Sequence, residues 1–446
     1  MSAVRVRFAP SPTGWLHVGN AAIAVANALF AHHEGGEFLL RLDDTDTQRS
    51  REEYARGIEQ DLAWLGIGWS GLVRQSERLA LYAEAAERLR ASGRLYPCFE
   101  SEEELAAKRE ALRRRHLAPI YDRAALAMTA EQHARAEASG RKPYWRFKLS
   151  PGEQVWDDLV LGERRVKLGA ISDPVLVRAD GSPLYAFTSV VDDIAMGITH
   201  IVRGADHIAN SGVQRDMMAA LGAEPDAIRL GHRPLLLDAD GGKLSKRLES
   251  LSLRRLRADG IEPSALLAYL ARLGTPDAFE PASFAALAEG FDLGRLSAAP
   301  PRFDAAQLLA LNRRVLHNAA YEDVAARLPA GADARFWEAV RGNLDLLSEA
   351  GLWWEVVAGD PPIPAQPDEG DFLRQAAACL PAAPWDGDIW ARWTEALREA
   401  SGRKGRALFH PLRLALTGEE KGPELRALLP LIGRERALLR LAQAAG

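Results

Sequence analysis

Sulfur is scarce in this chain: two cysteines, Cys98 and Cys379, and five methionines among 446 residues. Two cysteines cannot by themselves build a disulfide framework or a cysteine-rich zinc site. Long apolar runs are missing as well. Although 47% of the residues are hydrophobic, no stretch reaches the roughly 18 apolar residues of a membrane-spanning helix. The opening "MSAVRVRFAP" goes straight into strand-like alternation, without the apolar core of a secretory signal. A cytoplasmic protein with no membrane partner is expected. No GxxxxGK[ST] occurs, which excludes a P-loop. The GxGxxG string "GIGWSG" at 66–71 follows a helical run rather than a strand, so it reads as a loop. A net charge of −5 argues against a general nucleic-acid binder, and no DNA partner is expected. The charge is uneven, however. Residues 403–440 carry nine Lys/Arg against four Asp/Glu, an end that suits a polyanion or, more plainly, a solvated helical surface.

What is present begins with length, since a single core stops growing near 250–300 residues and two to four domains are expected. "VRVRF" alternates as a strand, the next run reads as a helix stopped at Gly35 and Gly36, and "EFLLRLDD" reads as a second strand. Strand, helix and strand in this order make a βαβ unit and a parallel sheet, whose ligands bind beyond the carboxyl ends of the strands. Residues 50–93 read as helical, and 101–140 as more helix. The strings "KPYWRFKL" and "DPVLVRADGSPLYAFTSVVDDI" give strand and hairpin signals, placing Tyr185 in a strand. Beyond about residue 261 nearly everything is Ala/Leu-rich helix, broken by clusters such as "GDPPIPAQPDEGD".

Two stretches carry chemistry. In "RFAPSPTGWLHVGN" at 7–20, Pro10 and Pro12 fix the backbone, Gly14 permits close approach, and the turn delivers His17 and Gly19 to a helix N-terminus that favours anions. Asn20 is placed to cap that helix. The bland alternative is a stiff strand–helix corner with a surface histidine. In "GGKLSKRLES" at 241–250, Lys243 and Lys246 flank Ser245 on a glycine-led loop. Such lysines suit a polyphosphate whose charge grows as a bond breaks; alone they would be a solvated basic turn.

"HVGN" and "KLSKR" resemble the HIGH and KMSKS signatures of class I aminoacyl-tRNA synthetases. The fuller strings "RFAPSPTGWLHVGN", "GGEFLLRLDDTD", "DLAWLGIGW", "SPLYAFTSVVDDIAMGITHIVRGADHIANS", "PSALLAYLARLGT" and "GRKGRALFHPLRLALTG" are similar to glutamyl-tRNA synthetases of the bacterial type. The resemblance implies an α/β fold: a Rossmann-like parallel-sheet catalytic domain in two halves (1–96 and 187–240), with an acceptor-binding insertion at 97–186. A stem-contact domain with the KLSKR loop (241–305) and a helical anticodon-binding domain (306–446) would follow. It further implies two-step ligation of L-glutamate to tRNA(Glu), tRNA(Gln) or both, through glutamyl-adenylate. Glutaminyl-tRNA synthetase is the alternative within the family; a non-catalytic tRNA-binding paralogue would be expected to lose His17 or the lysines.

By the same resemblance His17, Lys243 and Lys246 are catalytic. ATP, arriving with Mg²⁺ held by its own phosphates, would meet Pro10, Ser11, Thr13, Gly14, His17, Gly19, Asn20, Leu244, Ser245, Lys246 and Arg247. Glutamate would meet Arg7, Ala9, Ser11, Asp43, Tyr185 and Arg203, with Asp206 and Asn210 at the same mouth. Physical chemistry agrees with that set. A substrate with two carboxylates and an ammonium needs guanidinium forks and one acid. Arg7 and Arg203 supply the forks, Arg7 being the choice for the side-chain carboxylate, and Asp43 the acid. Many relatives carry glutamate in place of Asp43. Asp192 and Asp193 could serve the tRNA terminus or stabilise a turn. Some relatives hold zinc through cysteines near "YPC"; here Cys98 is followed by Phe99 and Glu100, so no structural zinc is expected.

Overall fold

The alternating "RVRF" forms strand β1 (Arg5–Phe8), and the proline-fixed turn leads into helix α1 (Val18–His33). The computed structural model describes residues 3–224, 226–242, 244, 250–382, 385 and 387–446. Helix α1 stops where Gly35 takes φ +60° and where a Cβ on Gly36 would stand 2.2 Å from the Val4 carbonyl oxygen, so the glycine pair is required for the return to the sheet. Strand β2 (Glu37–Leu42) then pairs parallel with β1, Arg5 opposite Glu37 and Phe8 opposite Leu40. Inside α1 the buried Asn27 donates from Nδ2 to the Val202 carbonyl at 3.0 Å, pinning the helix to the sheet.

After helix α2 (Glu52–Trp64) comes strand β3 (Gly71–Arg74), parallel to β2. The sequence reading put this stretch inside a helical region. At four residues, three of them only half-buried, β3 is an edge strand too short to show a period. Helix α3 (Leu79–Ala91) leads to strand β4 (Leu95–Cys98). Helices α4 (Glu102–Arg114) and α5 (Ala130–Ala138) follow, each opened by a capping box, at Ser101 and Thr129. Strands β5 (Tyr144–Phe147) and β8 (Val175–Val177) join β4 in an antiparallel sheet, while β6 (Glu153–Asp158) and β7 (Gly162–Lys167) form a hairpin. Leu159 N–H bonds the Leu230 carbonyl at 2.9 Å, which seats that hairpin on the edge of the parallel sheet.

Helix α6 (Tyr185–Ala195), strand β9 (His200–Gly204), helix α7 (Ile208–Ala220) and strand β10 (Arg229–Arg233) complete the α/β part. Tyr185 therefore opens a helix and does not sit in a strand. Its run buries Phe187, Val190 and Val191, the i, i+3, i+4 spacing of a helix face. The parallel sheet runs β10-β9-β1-β2-β3. Chain order reverses on either side of β1, so a crevice opens at the carboxyl ends of β1 and β9. Arg7 and Arg203 are the penultimate residues of β1 and β9, and Arg233 is the last residue of β10.

The chain divides into two units, Met1–Leu256 with Leu267–Asp304, and Arg257–Leu266 with Ala305–Gly446. The second is all-helical from Ala305–Asn318 to Arg434–Ala445 and packs around Phe336, Trp337, Trp393 and Leu412. Both tryptophans satisfy their indole N–H on carbonyls, Trp337 on Ala319 and Trp393 on Ala376, each at 2.9 Å. Part of the basic C-terminal stretch is spent internally. Arg440 is buried and donates to the carbonyls of Val356, Leu416 and Gly359, Arg413 bonds Pro423, and Arg403 pairs with Glu369. Among the described residues no helix is long and apolar enough to cross a membrane.

Candidate active site

The turn between β1 and α1 is held from both sides. Asp43 N–H bonds the Pro10 carbonyl at 3.0 Å and Arg51 N–H bonds Pro12 at 3.0 Å. Across the turn, Val18 N–H bonds Leu251 at 3.1 Å and Leu253 N–H bonds Leu16 at 2.9 Å. Leu251 to Leu253, which follow the KLSKR stretch in sequence, are thereby stapled to the turn around His17, more than 200 residues away along the chain. Lys243, Ser245, Lys246 and Arg247 themselves lie outside the described residues. On the near side of that loop, Gly242 N–H bonds the Asp238 carboxylate at 2.6 Å.

His17, rather than Asn20, caps α1: its Nδ1 accepts from Gly19 N–H at 3.0 Å. An accepting ring nitrogen must be unprotonated, and burial holds His17 below its ordinary value of 6.5. A Cβ at Gly19 would come within 2.8 Å of the imidazole. Glycine there lets the ring fold over the helix start, where the N–H groups of Val18, Gly19 and Ala21 are taken by the Leu251 carbonyl, His17 Nδ1 and the His17 carbonyl.

That crevice holds a cavity of about 630 Å³, a size typical of small-molecule sites. Of the residues picked from the sequence, Arg7, Ala9, Pro10, His17, Gly19, Asn20, Tyr185, Arg203, Asp206 and Leu244 line it. Ser11 and Thr13 face solvent, Gly14 is half-buried, Asn210 is exposed on α7, and none of them is among the lining residues. Ala22, Ile23 and Leu235 to Leu237 supply an apolar wall.

Behind the cavity lies a buried ion network. Arg7 donates from Nε and Nη2 to Asp193 at 2.9 and 3.3 Å, with Nη1 uncommitted among the described residues. Arg41 reaches Asp193 at 2.7 Å and holds Asp43 at 2.7 and 3.3 Å. Asp192 accepts from Gln75, Arg78 and Tyr82 at 2.7 to 2.8 Å. Three carboxylates thus face three guanidiniums. Asp192 and Asp193 are interior residues of α6, neither turn-formers nor groups presented at the surface. Asp43 also sits behind the cavity, 4% exposed, and burial outweighs Arg41 in raising its pKa to about 6. Arg41 still leaves it two of its roughly four lone pairs.

Two cations of the cavity wall stand outside this balance. Arg203 is 6% exposed and is held by neutral groups: Nη2 on Ser211 Oγ at 2.6 Å and on Gln214 Oε1 at 2.5 Å, Nη1 only 3.5 Å from Tyr185 Oη. Arg233 is held by the carbonyls of Ala22, Leu270 and Leu273. Its pKa is lowered to about 10 by burial. Among the described residues neither has a carboxylate partner. A buried cation without a counter-ion is costly, so the cavity favours an anionic ligand. Arg41, Arg233, Ser211 and His232 were not singled out from the sequence. Their partners lie up to 211 residues away, although Ser211 and Gln214 at i, i+3 on α7 do mark one helix face. Among the described residues no group of three or more His, Cys, Asp or Glu side chains is arranged to hold a metal. Cys98 is fully buried, its Sγ 3.7 Å from Tyr121 Oη.

Fold and cavity together define a doubly wound nucleotide-site protein with an excess of positive charge at the switch point. A family model described as tRNA synthetases class I (E and Q), catalytic domain, matches residues 3–309, and one described as anticodon binding domain matches 364–445. The chain belongs to the class I tRNA synthetases of this E and Q family. It is 61% identical over 443 residues to "Glutamate--tRNA ligase 2" of Acidiphilium cryptum, covering 99% of this chain and 100% of the relative. It is 62% identical over 444 residues to the protein of the same name from Granulibacter bethesdensis, covering 99% of each. A solved glutamate tRNA ligase from Elizabethkingia meningosepticum, in complex with its amino acid, superposes with a TM-score of 0.87 at 26% identity, over 100% of this chain and 99% of that one.

Proposed function

We infer that this chain ligates L-glutamate to tRNA at the expense of ATP, by way of glutamyl-adenylate, and that tRNA(Glu) is its acceptor. The observation that carries the reading is the pair of guanidiniums, Arg203 and Arg233, that have no carboxylate partner among the described residues, in a cavity also lined by Arg7 and by the start of α1. Glutamate brings two carboxylates and ATP a polyphosphate, so both substrates answer that charge. Glutamine would answer it less well.

Arg7 and Arg203 take the two carboxylates of glutamate with their free ends, near Ala9 and Tyr185. The ammonium turns toward Asp43, whose carboxylate lies behind the cavity wall with about two lone pairs left by Arg41, and Ser11 stands on the solvent side of the same turn. ATP, entering with Mg²⁺ on its phosphates, lies along Pro10, His17, Gly19 and Asn20, its base against the apolar wall. Both ends of the site are fixed by the same stiff turn. The α-carboxylate oxygen then attacks the α-phosphorus and pyrophosphate departs. Positioning does most of this work. Lys243 and Lys246 neutralise the charge that builds on pyrophosphate as the bond breaks. In the second step the terminal ribose hydroxyl of tRNA takes the glutamyl group and AMP leaves. The inserted segment 97–186 faces the acceptor end, 241–305 the stem, and 306–446 the anticodon.

Charging of purified tRNA(Glu) and tRNA(Gln) with labelled glutamate tests the reading. Glutamylation of tRNA(Glu) is expected. Charging of tRNA(Gln) alone would overturn the acceptor assignment, and charging with glutamine in place of glutamate would overturn the substrate.

A further inference from the structure

The pocket guanidinium of Arg203 is not held by any residue of its own strand. Its Nη2 donates to Ser211 Oγ at 2.6 Å, and Ser211 Oγ lies 2.7 Å from His232 Nε2. His232 Nδ1 lies 2.5 Å from Asp158 Oδ2, and Asp158 Oδ1 accepts from the His232 backbone N–H at 2.9 Å. Ser211 and His232 are fully buried and Asp158 is 4% exposed. The types Ser, His and Asp in this order are those of a nucleophilic triad. Yet the hydroxyl here is sealed from the cavity and its oxygen already accepts from a cation, so it cannot attack a substrate.

We propose that Asp158, His232 and Ser211 form a buried positioning relay that orients Arg203 toward the amino-acid carboxylate. The reasoning is one of donor direction. Asp158 is an anion whose carboxylate also accepts from Trp156 Nε1 and from the N–H groups of Val160 and Leu161. It fixes the proton of His232 on Nδ1, which leaves Nε2 as an acceptor. Nε2 at 2.7 Å is a nearer acceptor for the single hydroxyl proton of Ser211 than the His207 carbonyl at 3.2 Å, and with the proton on that side the Ser211 lone pairs face Arg203. Every donor then points from the guanidinium toward Asp158, and Gln214 completes the Nη2 pair. Nη2 is saturated, while Nε is buried without a partner among the described residues and Nη1 has only the 3.5 Å contact to Tyr185 Oη, which leaves it the end open to a ligand. Burial keeps the His232 imidazole below its ordinary range, and the same bonds take the Asp158 carboxyl to about 2 against the opposing effect of burial. Both directions fit a neutral ring beside a fixed charge.

The anchor has a further consequence. Asp158 ends β6, in the hairpin of the inserted segment, whereas Arg203 and His232 belong to the parallel sheet. The aim of the pocket cation is therefore set from the insertion.

The proposal rests on the glutamate reading above, and one experiment separates the two. ATP–pyrophosphate exchange in the presence of tRNA is measured with varied glutamate and then varied ATP, for wild type, Ser211→Ala, His232→Asn and His232→Gln, with melting temperatures alongside. His232→Asn keeps a donor toward Asp158 but loses the acceptor toward Ser211, and His232→Gln does the reverse. Ser211→Ala and His232→Asn are expected to raise the glutamate KM by about tenfold, the worth of one bond to a charged group. The ATP KM should stay within about twofold, and His232→Gln should restore most of the glutamate KM. Equal glutamate KM values in folded variants overturn the relay while leaving the function intact. A parallel rise in both KM values with a lowered melting temperature reduces the three residues to structural props and also overturns it. A wild type that shows no exchange with glutamate removes the functional reading and the relay together.

Discussion

Asp193 is the keystone of the ion network, and replacing it shows what the network contributes. Asp193→Leu keeps most of the volume and removes three charge-assisted bonds, two from Arg7 and one from Arg41. Arg41 retains Asp43 at 2.7 Å and has Asp192 at 3.9 Å. Among the described residues Arg7 retains no ion-paired carboxylate. Breaking a buried pair from one side costs roughly 3–5 kcal/mol, because the remaining charge stays desolvated. Arg7 is only 3% exposed, but it lines the cavity, which offers the orphaned charge a route to solvent, so the lower end, about 3 kcal/mol, is expected. For a unit of this size that lowers the melting temperature by on the order of 10 °C. The assay is urea unfolding followed by the fluorescence of the first unit's tryptophans, in a cycle with Arg7→Met. The double variant should recover about 2 kcal/mol relative to the sum of the singles, since replacing both partners by apolar groups is far less costly than orphaning one. A single-variant loss under about 1 kcal/mol, or additivity within about 0.5 kcal/mol, would refute the claim that these charges form one balanced unit.

Other consequences follow from the same structure. Lys246→Ala should slow adenylate formation by roughly 10²-fold or more, and near-normal single-turnover rates would remove Lys246 from the chemistry. Gly19→Ala places a Cβ within 2.8 Å of His17 Cε1. It should displace the imidazole and raise the ATP KM by about tenfold with little change in the glutamate KM, whereas equal effects on both would point to a general distortion. Burial holds His17, His200, His207 and His232 below their ordinary 6.5 in the folded state. The unfolded chain therefore binds more protons than the folded one just below pH 6.5, so stability falls as pH drops from about 6.5 and is regained as pH rises. A urea midpoint that stays flat or increases between pH 7 and pH 5.5 would contradict that sign.

The sequence spoke most clearly where a local pattern has a single physical cause. Alternation in "VRVRF", the Gly35–Gly36 stop and the proline-stiffened turn are all local, and the βαβ unit they imply is present. Strand β3 was lost because four residues cannot show a period. Tyr185 was placed in a strand because "YAFTSVVDD" has apolar residues that fit either repeat, and only the packing of Phe187, Val190 and Val191 decides. His17, Arg7 and Arg203, chosen from the motif strings, line one cavity, the first as the cap of α1 and the other two from the carboxyl ends of β1 and β9. Asp193 drew attention in the sequence but as a turn-former or a group for the tRNA terminus, and His232 drew none, because their partners lie 186 and 74 residues away. Asp43 shows the converse case. Its place in "DDTD" was visible, but not that Arg41, two residues back, already holds its carboxylate.

In the proposed function, a cavity whose Arg203 and Arg233 have no carboxylate partner among the described residues selects glutamate for activation on ATP. ATP–pyrophosphate exchange with the wild-type protein, tRNA present, and glutamate or glutamine as the amino acid tests it most directly. Exchange supported by glutamate and weaker by roughly 10²-fold or more with glutamine is the predicted result, as expected for a site built around the paired charge. Equal exchange with both amino acids, or stronger exchange with glutamine, would contradict it.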